Sequence, residues 1–179
     1  MISQRVWNIV LAGIGGQGVL KASDILAEAA FRVGHDVKKT EVHGMSQRGG
    51  SVNSDVRFGP LVLSPMVPDG ETDVLVVLDA SQTENNRHRL RPEGKLLTPD
   101  SVAGLPAAAG RSGNVAMLGV LSTFLPLPEQ AWHDAICAAL PSAVQAANLA
   151  AFAAGRAAAS CIRPASTAGA ANPRPVPKA

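Results

Sequence analysis

The chain has 179 residues, of which 46% are hydrophobic and 17% charged, a composition typical of a globular protein. No apolar run approaches the roughly 20 residues of a membrane-spanning helix, and a formal charge of +2 without a Lys/Arg block does not suit a nucleic-acid binder. We therefore expect no membrane partner and no nucleic-acid partner. Cys137 and Cys161 form no metal-binding motif, so we expect no metal on this chain and a location in the reducing cytoplasm.

The opening of the chain predicts a strand, a glycine turn, a helix and a second strand, which together form a βαβ unit. A short apolar run at 6–12 predicts a buried strand that leads into the turn GIGGQG at 13–18. Apolar residues then recur at helical spacing from Val19 to Val33, and Gly34 suits the end of a helix. The second strand is predicted at 36–42.

The next segments predict three more strands and a short helix. Only the nine residues HGMSQRGGS separate Val42 from the alternating segment 52–58, too few for a crossover helix, so the third strand is predicted antiparallel to the second. The continuous apolar run 72–80 predicts a central strand. Ser81 and Glu84 match a capping box for a helix to about residue 90, and 94–98 predicts a shorter strand.

The second half of the chain predicts helices at 114–124, 128–140 and 142–159. These helices are rich in alanine on several faces, so we expect them to bury a large interface with a partner. The predicted fold is α/β, a Rossmann-like three-layer sandwich with a mostly parallel sheet, one antiparallel strand and extra C-terminal helices. One domain covers 1–162, and the segment 163–179, rich in Pro, Ala and Gly, is predicted to be disordered.

The glycine turn is the first candidate for a binding site. A turn of this kind between a strand and a helix offers backbone N–H groups and the positive end of the helix dipole to a phosphate. Two interpretations stay open, a phosphate-containing ligand or partner segment, and glycines that serve only the turn and close packing. A complete NAD site is disfavoured, because no crossover follows the second strand. The candidate residues are Gly13, Gly15, Gly16, Gln17 and Gly18.

The string at 41–51 is the second candidate, because it places acid, imidazole, hydroxyl, amide and guanidinium groups among glycines. Arg48 could hold a phosphate or carboxylate, and His43 could titrate near neutral pH. The alternative is a loop stabilised by its own polar hydrogen bonds. Asn114, at the start of a later helix, is a cap or a ligand contact, and Asp79 faces the site, caps a helix or lies at a sheet edge. The candidates in this string are Glu41, His43, Ser46, Gln47, Arg48, Gly49 and Gly50.

Two strings together, IVLAGIGGQG at 9–18 and KTEVHGMSQRGGSV at 39–52, resemble the gamma domain of 2-oxoacid:ferredoxin oxidoreductases. Within that family they are most similar to the beta subunit of the indolepyruvate enzymes. The likeness covers about residues 6–156. Its specificity comes from the second string, since glycine turns like the first occur in many folds.

The resemblance implies oxidative decarboxylation of indolepyruvate or another aryl pyruvate with coenzyme A, giving aryl-acetyl-CoA, carbon dioxide and reduced ferredoxin. It implies thiamine diphosphate and 4Fe–4S clusters on a large alpha subunit, with coenzyme A near the subunit interface. This chain would carry no cofactor and no catalytic residue of its own, and would be inert alone. The alternatives are a gamma subunit of a pyruvate or 2-oxoglutarate enzyme, and a stand-alone nucleotide-binding Rossmann-like module.

Overall fold

A five-stranded sheet and five α-helices make up the computed structural model, which describes residues 5–43, 49–106 and 110–159. The strands are β1 (Trp7–Ile14), β2 (Asp36–His43), β3 (Ser51–Gly59), β4 (Thr72–Val77) and β5 (Leu90–Leu97). The helices are α1 (Val19–Arg32), α2 (Thr83–Arg87), α3 (Gly113–Ser122), α4 (Glu129–Ala139) and α5 (Ser142–Ala159). Two short 3-10 helices lie at Ala80–Gln82 and Pro99–Val102.

The strand order is β2-β3-β1-β4-β5, and β3 runs antiparallel to both of its neighbours while β1, β4 and β5 pair in parallel. The α/β class and the antiparallel third strand are confirmed. The opening βαβ unit differs from the prediction, because the short connection folds β3 back between β1 and β2. The predicted central strand, β4, is therefore an interior strand beside β5, and β1 is the middle of the sheet.

The hydrophobic core lies mainly on one face of the sheet, where alternate residues of β1 and β4 pack against α1, α3, α4 and α5. On the opposite face, Val67 from the connection between β3 and β4 completes a smaller cluster. Because strand side chains alternate between the faces, the apolar runs of both strands are buried on both sides. The sheet residues of the smaller cluster are Val10, Ala12, Leu75 and Val77.

The predicted capping box at Ser81 and Glu84 is wrong. The strand ends at Val77, and Asp79 in an extended conformation becomes the cap of the 3-10 helix, accepting a hydrogen bond from the Ser81 amide at 3.0 Å. A carboxylate is a strong acceptor for free helix N–H groups, so this cap displaces the one predicted two residues later. The helix α2 is accordingly short, and β5 begins earlier than predicted.

The three C-terminal helices differ in how much surface they leave exposed. α3 is buried from Val115 to Ser122, whereas α5 buries only Asn148, Ala151, Phe152 and Gly155. No helix in the described ranges is both long and apolar enough to cross a membrane. The predicted domain end at 162 and the segment 163–179 lie outside the described residues. The large apolar side chains that are exposed are Phe31, Val42, Leu61, Leu63, Met66 and Val144.

His35 joins α1 to β2 and makes the stability of the fold depend on pH. It is 5% exposed, its ring centroid lies 5.3 Å from that of Phe58, and its Nδ1 atom has no hydrogen-bond partner among the described residues. Burial lowers the pKa of His35 below its ordinary value of 6.5, outweighing a hydrogen bond with the Gly59 backbone that raises it. The unfolded chain therefore binds a proton at a higher pH than the folded chain does.

We expect the free energy of unfolding to fall as the pH is lowered through 6.5 toward the depressed pKa of the folded state. Urea unfolding of the unchanged chain and of His35→Gln, measured between pH 8 and pH 5, checks this. The variant should lose this component of the pH dependence. Identical slopes in the two proteins would contradict the assignment.

Candidate functional site

The glycine turn and the end of the second candidate string meet at the edge of the sheet where β1 and β4 end. The amide of Gly15 donates a hydrogen bond to the carbonyl oxygen of Gly50 at 2.9 Å. In open α/β sheets this edge is where ligands usually bind. Glu41 and His43 lie in the last three residues of β2, and Gly49 immediately precedes Gly50. The candidates Ser46, Gln47 and Arg48 lie outside the described residues.

Two positions of the glycine turn require glycine because of their backbone conformation, and one of them also lacks space for a side chain. Gly16 and Gly18 have φ angles of 96° and 77°, in the left-handed region that favours glycine. At Gly18 a Cβ atom would also lie 2.4 Å from Nδ2 of Asn114, which donates to the Gly18 carbonyl at 3.1 Å. Asn114 also accepts from the amide of Val115 at 2.9 Å. It therefore connects the turn to the start of α3.

Gln17 folds back over the turn. Its Oε1 atom accepts from the amide of Ile14 at 3.0 Å, and its Nε2 atom donates to Asp79 at 2.9 Å. Hydrogen bonds from the hydroxyl and amide of Ser81, and then from Gln17, lower the pKa of Asp79, so this carboxylate is ionised at neutral pH. A side chain in the middle of the turn thus ties the end of β1 to the end of β4.

A cleft of about 580 Å³ is lined by the glycine turn on one side and by the start of α3 on the other. Among its described lining residues Arg111 is the one charged side chain. The sequence analysis missed Arg111, although it stands in the glycine-rich run GRSG just before a predicted helix. The lining residues are Gly16, Gln17, Gly18, Leu78, Pro99, Val102, Gly110, Arg111, Gly113, Asn114 and Met117.

Glu41 stands apart from this cleft and is not among its lining residues. Its carboxylate lies 2.6 Å from Nζ of Lys39, which also pairs with Asp24 of α1. Burial lowers the pKa of Lys39, but the hydrogen bonds with Asp24 and Glu41 outweigh that effect, so its net shift is upward. These contacts tie the end of β2 to α1.

The chemistry available in the cleft suits binding of an anion attached to an apolar arm. The guanidinium of Arg111 attracts negative charge, while Leu78, Val102 and Met117 supply an apolar wall. Within the described residues no group of three His, Cys, Asp or Glu side chains could hold a metal ion. Of the two cysteines, only Cys137 lies in this part of the chain, and it is a free thiol.

Fold and cleft together define a Rossmann-like α/β protein that presents a glycine turn and a cationic cleft at the carboxyl edge of its sheet. The family profile described as pyruvate ferredoxin/flavodoxin oxidoreductase matches residues 8–111, more than half of the chain. The chain therefore belongs to the pyruvate ferredoxin/flavodoxin oxidoreductase family.

Curated relatives carry related names. The indolepyruvate oxidoreductase subunit IorB of Thermococcus kodakarensis is 45% identical over 94 residues, which cover 52% of this chain and 46% of that protein. The ketoisovalerate oxidoreductase subunit VorA of Methanothermobacter marburgensis is 32% identical over 153 residues, covering 74% of this chain and 32% of that protein. The chain thus matches about half the length of the IorB proteins, and a smaller share of VorA.

Solved structures share the fold. The 2-oxoglutarate:ferredoxin oxidoreductase of Magnetococcus marinus, with 2-oxoglutarate, coenzyme A and succinyl-CoA bound, aligns with a TM-score of 0.74 at 22% identity, covering 96% of this chain and 34% of that chain. The gamma subunit of a keto/oxoacid ferredoxin oxidoreductase from Geobacter sulfurreducens aligns with a TM-score of 0.67 at 21% identity, covering 87% and 99%. At these identities the likeness shows the fold.

Proposed function

We propose that this chain is a subunit of a 2-oxoacid:ferredoxin oxidoreductase that acts on indolepyruvate or other aryl pyruvates. The complex would convert the oxoacid, coenzyme A and two oxidised ferredoxins into aryl-acetyl-CoA, carbon dioxide, a proton and two reduced ferredoxins. The similarity of this chain to the IorB subunits supports an aryl substrate, because those relatives are named indolepyruvate oxidoreductase subunits. We propose that the complex lies in the cytoplasm, as expected from the sequence.

The observation that carries this proposal is the cleft beside the glycine turn. Coenzyme A combines phosphates with a long, largely apolar pantetheine arm, and the cleft combines the guanidinium of Arg111 with an apolar wall. The Magnetococcus marinus enzyme of the same fold was solved with coenzyme A bound. In this proposal Arg48, from the neighbouring string, supplies a second guanidinium to the same ligand.

Thiamine diphosphate and the 4Fe–4S clusters are assigned to a large alpha subunit. The donor set in the described part of this chain does not fit a cluster, because clusters are held by several cysteine thiolates and only Cys137 lies there. The chain would complete the active site of the alpha subunit and be inert alone. Ferredoxin would reach the complex through that larger partner.

We propose that the connection between β3 and β4 presents a further surface to the partner, in addition to the alanine-rich helices. Leu61, Leu63 and Met66 are exposed there, although the backbone around them is held in place by side chains. Arg57 donates to the carbonyls of Ser64 and Met66 at 3.1 Å each. A rigid segment that presents large apolar side chains to water suits a subunit interface.

The closest alternative is a gamma subunit of a pyruvate or 2-oxoglutarate enzyme. The 2-oxoglutarate synthase subunit KorC of Archaeoglobus fulgidus supports this alternative. It is 47% identical over 52 residues, which cover 29% of this chain and 28% of that protein. A stand-alone nucleotide-binding module is the alternative from a different class. It predicts a monomer that binds NAD tightly and has no large partner.

Coexpression with the large partner under anaerobic conditions tests these proposals. We expect viologen reduction that depends on coenzyme A and is fastest with indolepyruvate and phenylpyruvate. Preference for pyruvate or 2-oxoglutarate would support the related alternative instead. A chain that does not bind the partner and binds NAD would support the stand-alone module. The purified chain alone should contain neither iron nor thiamine diphosphate, and stoichiometric iron would contradict that assignment.

Arg111→Ala and Arg48→Ala should each raise the KM for coenzyme A in the complex. A charge-assisted contact with a phosphate is worth about 1.5 to 3 kcal/mol, so the expected rise is about ten- to a hundredfold, with assembly unchanged. Steady-state viologen kinetics with varied coenzyme A measures it. Arg32→Ala, which removes an exposed ion pair with Glu28 at the far end of α1, is the matched control and should leave KM unchanged.

The two arginine variants also separate ligand binding from docking. If Arg48→Ala leaves the dependence on coenzyme A unchanged but splits the complex, its loop is a docking element and the ligand-binding role proposed for it is wrong. If Arg111→Ala changes neither KM nor assembly, the cleft is not the coenzyme A site.

A further inference from the structure

Gln17 occupies an unusual place, because it is the one long side chain inside a turn otherwise made of glycines and Ile14. Its Oε1 atom accepts from the Ile14 amide at 3.0 Å, and its Nε2 atom donates to Oδ2 of Asp79 at 2.9 Å. The other oxygen of Asp79 accepts from the amide of Ser81 at 3.0 Å and from its hydroxyl at 2.6 Å. Both partners are thus fully oriented by hydrogen bonds.

The packing under Gln17 requires this arrangement. A Cβ atom at Gly13 would lie 2.8 Å from Oε1 of Gln17, so a larger residue there would push this atom away from the Ile14 amide. Glycine backbones have many accessible conformations, and ordering them costs conformational entropy. Hydrogen bonds from one side chain to both strand ends offset part of that cost. Gln17 also lines the cleft, so its orientation shapes the wall that meets a ligand.

The network continues from Asp79 to the second candidate string. Gln82 is 8% exposed; its Nε2 atom donates to the Ser81 hydroxyl at 3.3 Å and its Oε1 atom accepts from the Ser51 hydroxyl at 2.8 Å. Ser51 is the first residue of β3 and follows Gly50, whose carbonyl accepts from Gly15. The hydrogen bonds therefore link the glycine turn, the end of β4 and the exit of the 41–51 string.

We propose that Gln17 and Asp79 form a positioning pair that holds the glycine turn, together with Gly50 and Ser51 beside it, in the conformation that binds the ligand. Asp79 acts through Gln17 and need not touch the ligand. As an acceptor only, the carboxylate directs the amide nitrogen of Gln17 toward itself and leaves the amide oxygen for Ile14. The expected change in the KM for coenzyme A rests on the proposed function, whereas the expected change in hydrogen exchange does not.

A reciprocal exchange of the two side chains tests the pair. Gln17→Glu alone places two carboxylates against each other. In Asp79→Asn alone, the new amide must turn its oxygen to Ser81, so its NH2 group faces the NH2 group of Gln17. The double variant restores complementarity, because Glu at 17 can accept from both the Ile14 amide and Asn at 79, which still accepts from Ser81. A merely space-filling role would not produce this rescue.

Two measurements read the result. Hydrogen exchange of the full chain should quicken at residues 13–18 in each single variant and return toward the original rate in the double variant. In the complex, each single variant should raise the KM for coenzyme A about tenfold with little change in kcat, and the double variant should recover most of that loss. Gln130 and Asp134 on α4 form an exposed pair of the same chemistry at 2.8 Å, so the same exchange there is the matched control.

The proposal is overturned if the single variants leave both exchange and KM unchanged. It is also overturned if all three variants lower the melting temperature alike and the double variant shows no rescue, since that result marks a structural role only. A complex without any activity that depends on coenzyme A would refute the proposed function, while the exchange measurement would still test the pair.

Discussion

Gly155→Ala should destabilise the chain by about 3 kcal/mol or more, because no space exists for a methyl group where α3 and α5 cross. A Cβ atom at Gly155 would lie 1.9 Å from the carbonyl oxygen of Ala116, and one at Gly119 would lie 2.1 Å from that of Phe152. Backbone contacts from both sides cannot be relieved by turning a side chain, so the helices must move apart.

The sign of this effect separates packing from helix propensity. Alanine is favoured over glycine in a helix by about 1 kcal/mol, so propensity alone predicts that Gly155→Ala stabilises α5. Urea unfolding measures the change, and Ala153→Gly at an exposed position of the same helix is the control, with an expected loss of about 1 kcal/mol. An unchanged or more stable Gly155→Ala protein would contradict the crossing.

The consequence reaches the cleft. α3 begins at Gly113, and Asn114 in its first turn contacts Gly18 of the glycine turn. Moving α3 away from α5 therefore shifts the wall of the cleft that carries Arg111 and Met117. We expect ligand affinity to fall with stability in Gly155→Ala, which distinguishes it from Arg111→Ala, where only affinity changes.

Asp55→Ala should cost about 3 to 5 kcal/mol of stability, the usual penalty for breaking a buried ion pair on one side. Asp55 and Arg89 form two parallel hydrogen bonds of 2.8 and 2.7 Å, and their side chains are 5% and 14% exposed. Asp55 also accepts from the buried amide of Val67 at 2.9 Å. The variant removes the acceptor of the Val67 amide and the nearest carboxylate of Arg89, whose guanidinium keeps the Val67 carbonyl at 3.0 Å and the exposed Asp69 carboxylate at 3.7 Å.

Two further variants make this expectation specific. Glu84→Ala breaks the exposed pair with Arg87 and should cost less than about 1 kcal/mol. Asp55→Ala combined with Arg89→Met removes the half-compensated guanidinium as well, so the double variant should be more stable than Asp55→Ala alone. Equal urea-unfolding free energies for Asp55→Ala and Glu84→Ala would contradict the argument. Since Val67 anchors the segment that carries Leu61 and Leu63, Asp55→Ala should also weaken partner binding.

The local sequence by itself determined the β1–turn–α1 unit, β2 and the direction of β3. Hydrophobic periodicity placed α1 within one residue of its bounds, because one face of that helix is buried and the other is solvated. The short connection before β3 left no length for a crossover, so an antiparallel strand was required. The resemblance of the two strings to a known family was likewise carried by contiguous residues.

Tertiary structure alone decided which residues meet at the cleft. Arg111 and Met117 join the glycine turn only because α3 packs beside α1 and the sheet, and no local pattern encodes that distance. Of the roles that the sequence left open for Asp79, the structure confirms the cap, and the hydrogen bond from Gln17 adds a contact to the glycine turn. Gly119 and Gly155 are required by contact between two helix backbones, which no local pattern of residues indicates. Periodicity reports which face is buried, whereas the partner of that face depends on the whole packed chain.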